Sequence, residues 1–187
     1  MSPIWRELAD TFAKTTFKYR FSIGVHPHHS SSWSDAVERD VRAGLAHPSN
    51  VSLGECGLDY HYDFSPRERQ RETLVKQLRI AVELKKPLTI HTREADEDIY
   101  AILTREVPRD HRIHIHCYTD ELELCQKLST HFSQLVFGIT GVTTFSTNEK
   151  TPAAIRFLAE LAKSQPASSD GLHPFRIVLE TDSPYVR

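Results

Sequence analysis

The chain has 187 residues, the usual length of one domain, and 23 Lys and Arg against 25 Asp and Glu leave a formal charge of −2, which excludes an overall basic surface for gripping nucleic acid. Hydrophobic residues at 39% and charged residues at 26% exclude a disordered chain, and no apolar run reaches the length of a membrane span. Met1 to Tyr19 carries charges throughout with no signal-peptide core, and Cys56, Cys117 and Cys125 form no C-x-x-C, so a reducing, intracellular setting, cytoplasmic or nuclear, is expected.

In chain order, Ile4, Leu8 and Phe12 fall at helical spacing, and the apolar run 21–25 follows as a short strand. Val37, Val41 and Leu45 predict a helix over 34–46, and 51–53 a second strand. Ser65-Pro66-Arg67-Glu68 reads as a capping box with Pro at the first helical position. The helix it opens carries Leu74, Leu78 and Val82 and stops at Pro87. Strand 87–90 comes next, then a helix over 94–105 from Ile99, Ile102 and Leu103. Strand 113–115, a helix over 121–131 from Leu122, Cys125 and Leu128, and strand 135–139 follow. Thr151-Pro152 opens a helix with Ile155, Leu158, Ala159 and Ala162 on one face, and 177–179 is the last apolar run. Short branched runs alternating with amphipathic helices predict βαβ units and a parallel sheet, closed as a barrel or doubly wound.

Polar chemistry begins where these runs stop. Their ends carry His26 and His28, Glu55 and Asp59, His91, His116, and Glu180 with Asp182, and parallel α/β barrels build their active sites at that end. The period of two puts His91 and Arg93 on one face, and likewise His114 with His116 and Glu180 with Asp182. It turns Cys56 and Cys117 toward the helices as small hydrophobes. Two imidazoles and two carboxylates, His91, His116, Glu55 and Asp182, converging at one mouth suit a divalent metal ion. Glu180 is expected to orient a neighbour by a hydrogen bond, and His114 to be a supporting or core residue.

The segments GVHPH (24–28), GECGLDY (54–60), IHTRE (90–94), IHCY (115–118), FGITGVTTF (137–145) and ETDSPY (180–185), in that order, resemble the TatD family of metal-dependent deoxyribonucleases, relatives of the amidohydrolases on a TIM-barrel fold. The resemblance implies a TIM-barrel-like parallel (β/α) fold and hydrolysis of DNA phosphodiester bonds. It implies that Glu55 bridges two divalent ions (Mg, Mn or Zn), that His91 and His116 complete one, and that Asp182 binds the other and helps activate water. Arg93, His26 and His28 would face the phosphate, and Tyr60 and Asp59 would shape the site near Glu55. The physics is consistent, since paired cations stabilise the charge of a phosphodiester displacement and a guanidinium grips phosphate through two parallel hydrogen bonds.

The family's H-x-H on its first strand has no counterpart before Phe21, so the runs correspond to strands 3–8 of eight and the chain is expected to be a single incomplete barrel over 1–187. With only Glu55 and Asp182 left for one ion, at most one divalent ion and impaired nuclease activity are expected. Two alternatives stay open: a non-catalytic barrel with a binding role, and a lactone or cyclic-amide hydrolase of the wider superfamily.

Overall fold

A computed structural model describes residues 4–164 and 175–183. The described strands form one sheet, β1 (Phe21–Ile23), β2 (Asn50–Asp59), β3 (Leu88–Arg93), β4 (Ile113–Ile115), β5 (Leu135–Ile139) and β6 (Ile177–Leu179), each parallel to its sequence neighbour in the order β1-β2-β3-β4-β5-β6. Parallel pairing needs a crossover for each step. The helices α2 (Asp35–Leu45), α3 (Arg67–Glu83), α4 (Asp96–Glu106), α5 (Leu122–His131) and α6 (Lys150–Ser164) supply them, and an additional helix, α1 (Ile4–Ala13), precedes β1. This is the parallel α/β architecture expected from the alternation of runs.

Alternation along the strands divides the sheet into two faces. In β3, Leu88, Ile90 and Thr92 are buried while Thr89, His91 and Arg93 are half-buried. The buried set joins Leu53, Cys56 and Leu58 of β2, Ile115, Phe137 and the helix residues Leu74, Leu78, Ile99 and Leu103 in one core. Helices therefore cover that face, with α3 against β2 and the pairs α3–α4, α4–α5 and α5–α6 side by side. The opposite face keeps the polar side chains.

Several sequence expectations change, among them the ends of β1 and β3, which cover 21–23 and 88–93 rather than 21–25 and 87–90. Strand β2 runs to Asp59 rather than stopping at residue 53, because its ladder with β3 resumes after a register irregularity between Leu53 and Cys56. The capping box does not form: Pro66 is the N-cap and makes no side-chain bond to the helix. Ser65 Oγ instead donates to the His28 carbonyl at 2.8 Å and accepts from Ser31 N at 3.3 Å, so it ties two loops together. Helix α6 begins at Lys150, and the cap at its start is Asn148, whose Oδ1 accepts from Thr151 N at 3.1 Å. The stripe Ile4, Leu8 and Phe12 of α1 faces outward, Ile4 at 74% exposure, while Ala9 is buried and Trp5 stacks on Phe21.

Two glutamines of α3, Gln70 and Gln77, are fully buried among its apolar positions. Gln77 accepts from Val25 N at 2.7 Å and donates to Val25 O at 3.1 Å. Gln70 accepts from Asp59 N at 2.8 Å and donates to Asp59 O at 3.0 Å. Each pins the backbone where a strand ends and polar chemistry begins, satisfying groups that no ladder reaches.

Candidate metal centre

The first cluster grows from the ends of β1, β2 and β3. With Cys56 and Leu58 turned into the core, Glu55, Gly57 and Asp59 share the open face. His91 pairs in register with Gly57. Because Gly57 has no Cβ, which would fall 1.8 Å from the His91 carbonyl oxygen, the β3 backbone can approach closely here, and the His91 imidazole spans the two neighbours of Gly57, with Nδ1 donating to Glu55 Oε1 at 2.9 Å and Nε2 to Asp59 Oδ2 at 3.1 Å. Both ring nitrogens face carboxylates, so His91 is an imidazolium here. Burial opposes that charge, but the hydrogen bonds to Asp59 and Glu55 outweigh it and push the pKa up to about 9.

His26 follows β1. Its Nδ1 accepts from His28 N at 3.3 Å and its Nε2 lies 3.7 Å from Glu55 Oε1. Burial and repulsion from His91 bring its pKa down to about 4, which favours the neutral ring; with Nδ1 accepting from His28, Nε2 carries the proton toward Glu55, and the ring must give up that proton or switch tautomer to ligate through Nε2. His28 donates through Nε2 to Asp59 Oδ2 at 2.9 Å. The Asp59 side chain is 1% exposed, and its Oδ1 accepts from the backbone N–H groups of His61 and Tyr62, both at 3.0 Å. Burial raises the pKa of each carboxyl, yet these bonds hold Asp59 well below the usual range, and His91 lowers Glu55.

The second cluster grows from β4, β5 and β6. His116 Nδ1 donates to Glu180 Oε2 at 2.8 Å, His114 Nε2 lies 3.2 Å from the same oxygen, and Cys117 N donates to Oε1 at 2.6 Å. Burial opposes the Glu180 charge, but His114, His116 and the Cys117 N–H hold its carboxyl down to about 2. Gly138 makes the room: a Cβ there would fall 1.7 Å from Glu180 Oε1 and 2.6 Å from His114 Nε2. His116 Nε2 lies 3.5 Å from Asp182 Oδ1. Hydrogen bonding to Glu180 raises the His116 pKa, and His116 and Glu55 influence one another across the gap between the clusters.

Among the described residues, two sets of three have donor atoms within 4.8 Å of one another, His26–Glu55–His91 and His114–His116–Glu180. Each combines two imidazoles with a carboxylate, a donor set that fits Zn or Mn. His114 Nε2 is buried and poorly directed at its neighbour, a nitrogen left without a well-formed hydrogen bond. These residues fit a divalent ion.

The structure thus divides the expected trio: Glu55 and His91 fall in one set, His116 in the other. His26 joins the donors, and Glu180, which bonds His116, and His114, expected as supporting residues, stand beside His116 as candidate donors themselves. Arg93 shares the face of His91 and lies over the Tyr62 ring, 5.0 Å from its centroid. Tyr60 points elsewhere. Its hydroxyl donates to Asp98 and accepts from Arg71 at 3.2 Å, on the α3–α4 side and apart from the Glu55 cluster. Cys56 is buried, and burial raises its pKa far above the ordinary thiol range. Cys117, expected beneath the helices, is only half-buried; it bends the chain after β4 with φ +45° and offers its N–H to Glu180. The buried glutamines were missed. Their signal was a polar residue at positions 70 and 77, in step with Leu74 and Leu78.

A parallel sheet with histidines and carboxylates gathered at its carboxyl-terminal ends is the plan of the metal-dependent barrel hydrolases. The chain belongs to the TatD-related DNase family, whose profile matches residues 2–187. It is 38% identical over 165 residues to the human "3'-5' RNA nuclease TATDN2", an alignment covering 88% of this chain and 20% of that protein. It is 34% identical over 165 residues to the "3'-5' ssDNA/RNA exonuclease TatD" of Escherichia coli K12, covering 88% of this chain and 58% of the relative. The chain therefore spans little more than half the length of its bacterial relatives. A TatD-family hydrolase from Entamoeba histolytica superposes with a TM-score of 0.73 at 20% identity, covering 96% of this chain and 56% of that one. YJJV, a TatD homologue from Escherichia coli K12, gives 0.71 at 24% identity, covering 96% and 64%. These two likenesses establish the fold, which is the TIM-barrel type.

Proposed function

We propose that the protein is a metal-dependent nuclease that hydrolyses phosphodiester bonds in nucleic acid, DNA among them. The observation that carries this reading is the gathering of two imidazole–carboxylate clusters at one end of the sheet, with Arg93 on the face of the first. Glu55, His91 and His26 would hold a divalent ion on one side, His116 and Asp182 on the other, and the ion would be Zn, Mn or Mg. When bound, it supplies Lewis acidity toward the phosphate. Arg93 binds the phosphate through its planar fork. Asp59 orients His91 and His28, and Glu180 orients His116. Asp182 accepts the proton of the attacking water, and the departing oxygen takes a proton from solvent as its bond to phosphorus breaks. The named activities of the human and bacterial relatives support a nucleic-acid substrate.

The test is cleavage of end-labelled single-stranded DNA and RNA by the full chain with Mn, Zn or Mg added in turn. Metal-dependent shortening, lost in Glu55→Ala and His91→Ala, is expected. Arg93→Ala should weaken nucleic-acid binding while leaving metal titration nearly unchanged. A chain that cleaves neither substrate with any metal, or whose cleavage survives Glu55→Ala, would overturn the proposal.

A further inference from the structure

The loop between β2 and α3 carries two large aromatic side chains in water. Tyr62 is 48% exposed and Phe64 67% exposed. Their rings are nearly parallel, 7° apart in plane with centroids at 5.3 Å, an offset stack. Exposed aromatics on a loop tip ordinarily have no reason to be held in one geometry, and these are held. The buried Asp59 carboxylate accepts from the Tyr62 backbone N–H at 3.0 Å. Asp63, between the two rings, takes a left-handed turn with φ +49° and is gripped by Arg67 through bonds of 2.9–3.1 Å. His28 meets both rings edge-on, at 5.7 Å and 4.8 Å from their centroids.

The platform also adjoins the site. The same Asp59 that fixes Tyr62 fixes His28 and His91. The Arg93 guanidinium lies over the Tyr62 ring, 5.0 Å from its centroid. A preorganised stack is thus set beside a cation on the same face as the candidate metal ligands, with Arg93 over Tyr62 and Phe64 as the more exposed ring. A greasy protein partner would need no such cation and no ordered aromatic stack. A nucleotide needs both, because its base stacks on an aromatic face while its phosphate seeks a guanidinium. Bases inside a duplex have their faces covered already, so only an unpaired base can use the platform.

We propose that Tyr62 and Phe64 form a base-stacking subsite that seats an unpaired nucleobase next to the phosphate held at Arg93, selecting single-stranded over duplex substrate. This rests on the nuclease reading above and names a binding element outside the metal cluster. Stacking of this kind is sequence-tolerant, since every base has a π-face, so the subsite selects strandedness and not sequence.

The experiment measures binding of the full chain to a hydrolysis-resistant phosphorothioate single strand by fluorescence anisotropy. A single abasic residue is scanned along the strand, and a duplex of the same sequence is compared. Wild type should bind about tenfold more weakly when the abasic residue reaches one position, and weakly to duplex. Phe64→Ala and Tyr62→Leu should lose about tenfold on the intact strand and become indifferent to the abasic scan, while Phe64→Trp retains both. Metal titration and the thermal midpoint of Phe64→Ala should match wild type, separating loss of a platform from loss of fold. If wild type binds and cleaves single strands but is indifferent to base removal, or if Phe64→Ala keeps the wild-type scan, the subsite is overturned and the nuclease reading stands. If wild type neither binds nor cleaves any strand, the nuclease reading fails and takes the subsite with it.

Discussion

Replacing Asp59 by Asn removes one charge from the hub of the first cluster while leaving its shape almost unchanged. The wild-type carboxylate is 1% exposed and serves four donors, His28 and His91 at Oδ2 and two backbone N–H groups at Oδ1. In the variant, the amide oxygen can keep the backbone pair, but the NH₂ group then faces two ring nitrogens that also donate. His28 can change tautomer and accept. His91 cannot do so without giving up its proton. Removing one partner of a buried ion pair costs about 3–5 kcal/mol, and with the His28 escape about 3 kcal/mol is expected. The pH dependence has a defined sign on each side. Although burial works against it, Asp59 is held below its unfolded value of 3.8 by hydrogen bonds led by His91, so its contribution is present above 3.8 and fades as pH falls further. His91 rises from 6.5 to about 9, so its contribution is complete below 6.5 and disappears as pH climbs through about 9. The stability gap between wild type and Asp59→Asn should therefore be widest between those two unfolded values and shrink on either side. Urea unfolding of the metal-free chain from pH 3 to pH 10 measures the gap, and NMR titration of His91 measures its pKa, expected to fall toward 6.5 in the variant. A gap that is flat across that range, or a His91 pKa still near 9 in Asp59→Asn, would refute the hub.

Gly138→Ala places a methyl group 1.7 Å from Glu180 Oε1 and must displace that carboxylate; the variant should melt lower and lose metal affinity at the His116 set, and calorimetric titration matching wild type would contradict this. An ion at the first cluster must displace the His91 proton, so apparent affinity there should rise about tenfold per pH unit from pH 7 until about pH 9, read by titration in buffers of differing ionisation heat. Gln77→Leu leaves the buried N–H and C=O of Val25 without the partners they have at 2.7 and 3.1 Å; a loss of about 2–6 kcal/mol in urea unfolding is expected, at roughly 1–3 kcal/mol for each orphaned group.

The strand runs were legible because a buried parallel strand leaves a short branched stretch with turn residues around it. Three of the six, Ile113–Ile115, Leu135–Ile139 and Ile177–Leu179, have the boundaries the apolar runs suggest. The failures share a cause, which is that a residue's local preference was claimed by a distant partner. Ser65 has the composition of a cap and is spent on the His28 loop. Strand β2 continues through Gly54 and Gly57 because the ladder from β3 is there to receive it.

The candidate site was legible as a set of residues and not as a set of partnerships, and two glycines explain the difference. In β2, Glu55 and Asp59 flank Gly57, and His91 lies opposite that gap. A Cβ at Gly57 would fall 1.8 Å from the His91 carbonyl oxygen, so the bare position lets β3 come close enough for one imidazole to touch both carboxylates. In β5, Gly138 leaves the space in which Glu180 reaches His114 and His116. Both clusters need a bare position, but for different occupants: at Gly138 polar side chains fill the space, and at Gly57 the backbone of the neighbouring strand does. E-x-G-x-D is visible in the sequence as a spacing. It becomes a hydrogen-bond network only once the register sets His91 against its central glycine, and register is a property of two strands that no single run of residues contains. The same reasoning explains why position at a strand end carried so much information. In a parallel sheet all carboxyl ends lie on one side, so topology alone gathers the chemistry, while glycines and register choose who bonds to whom.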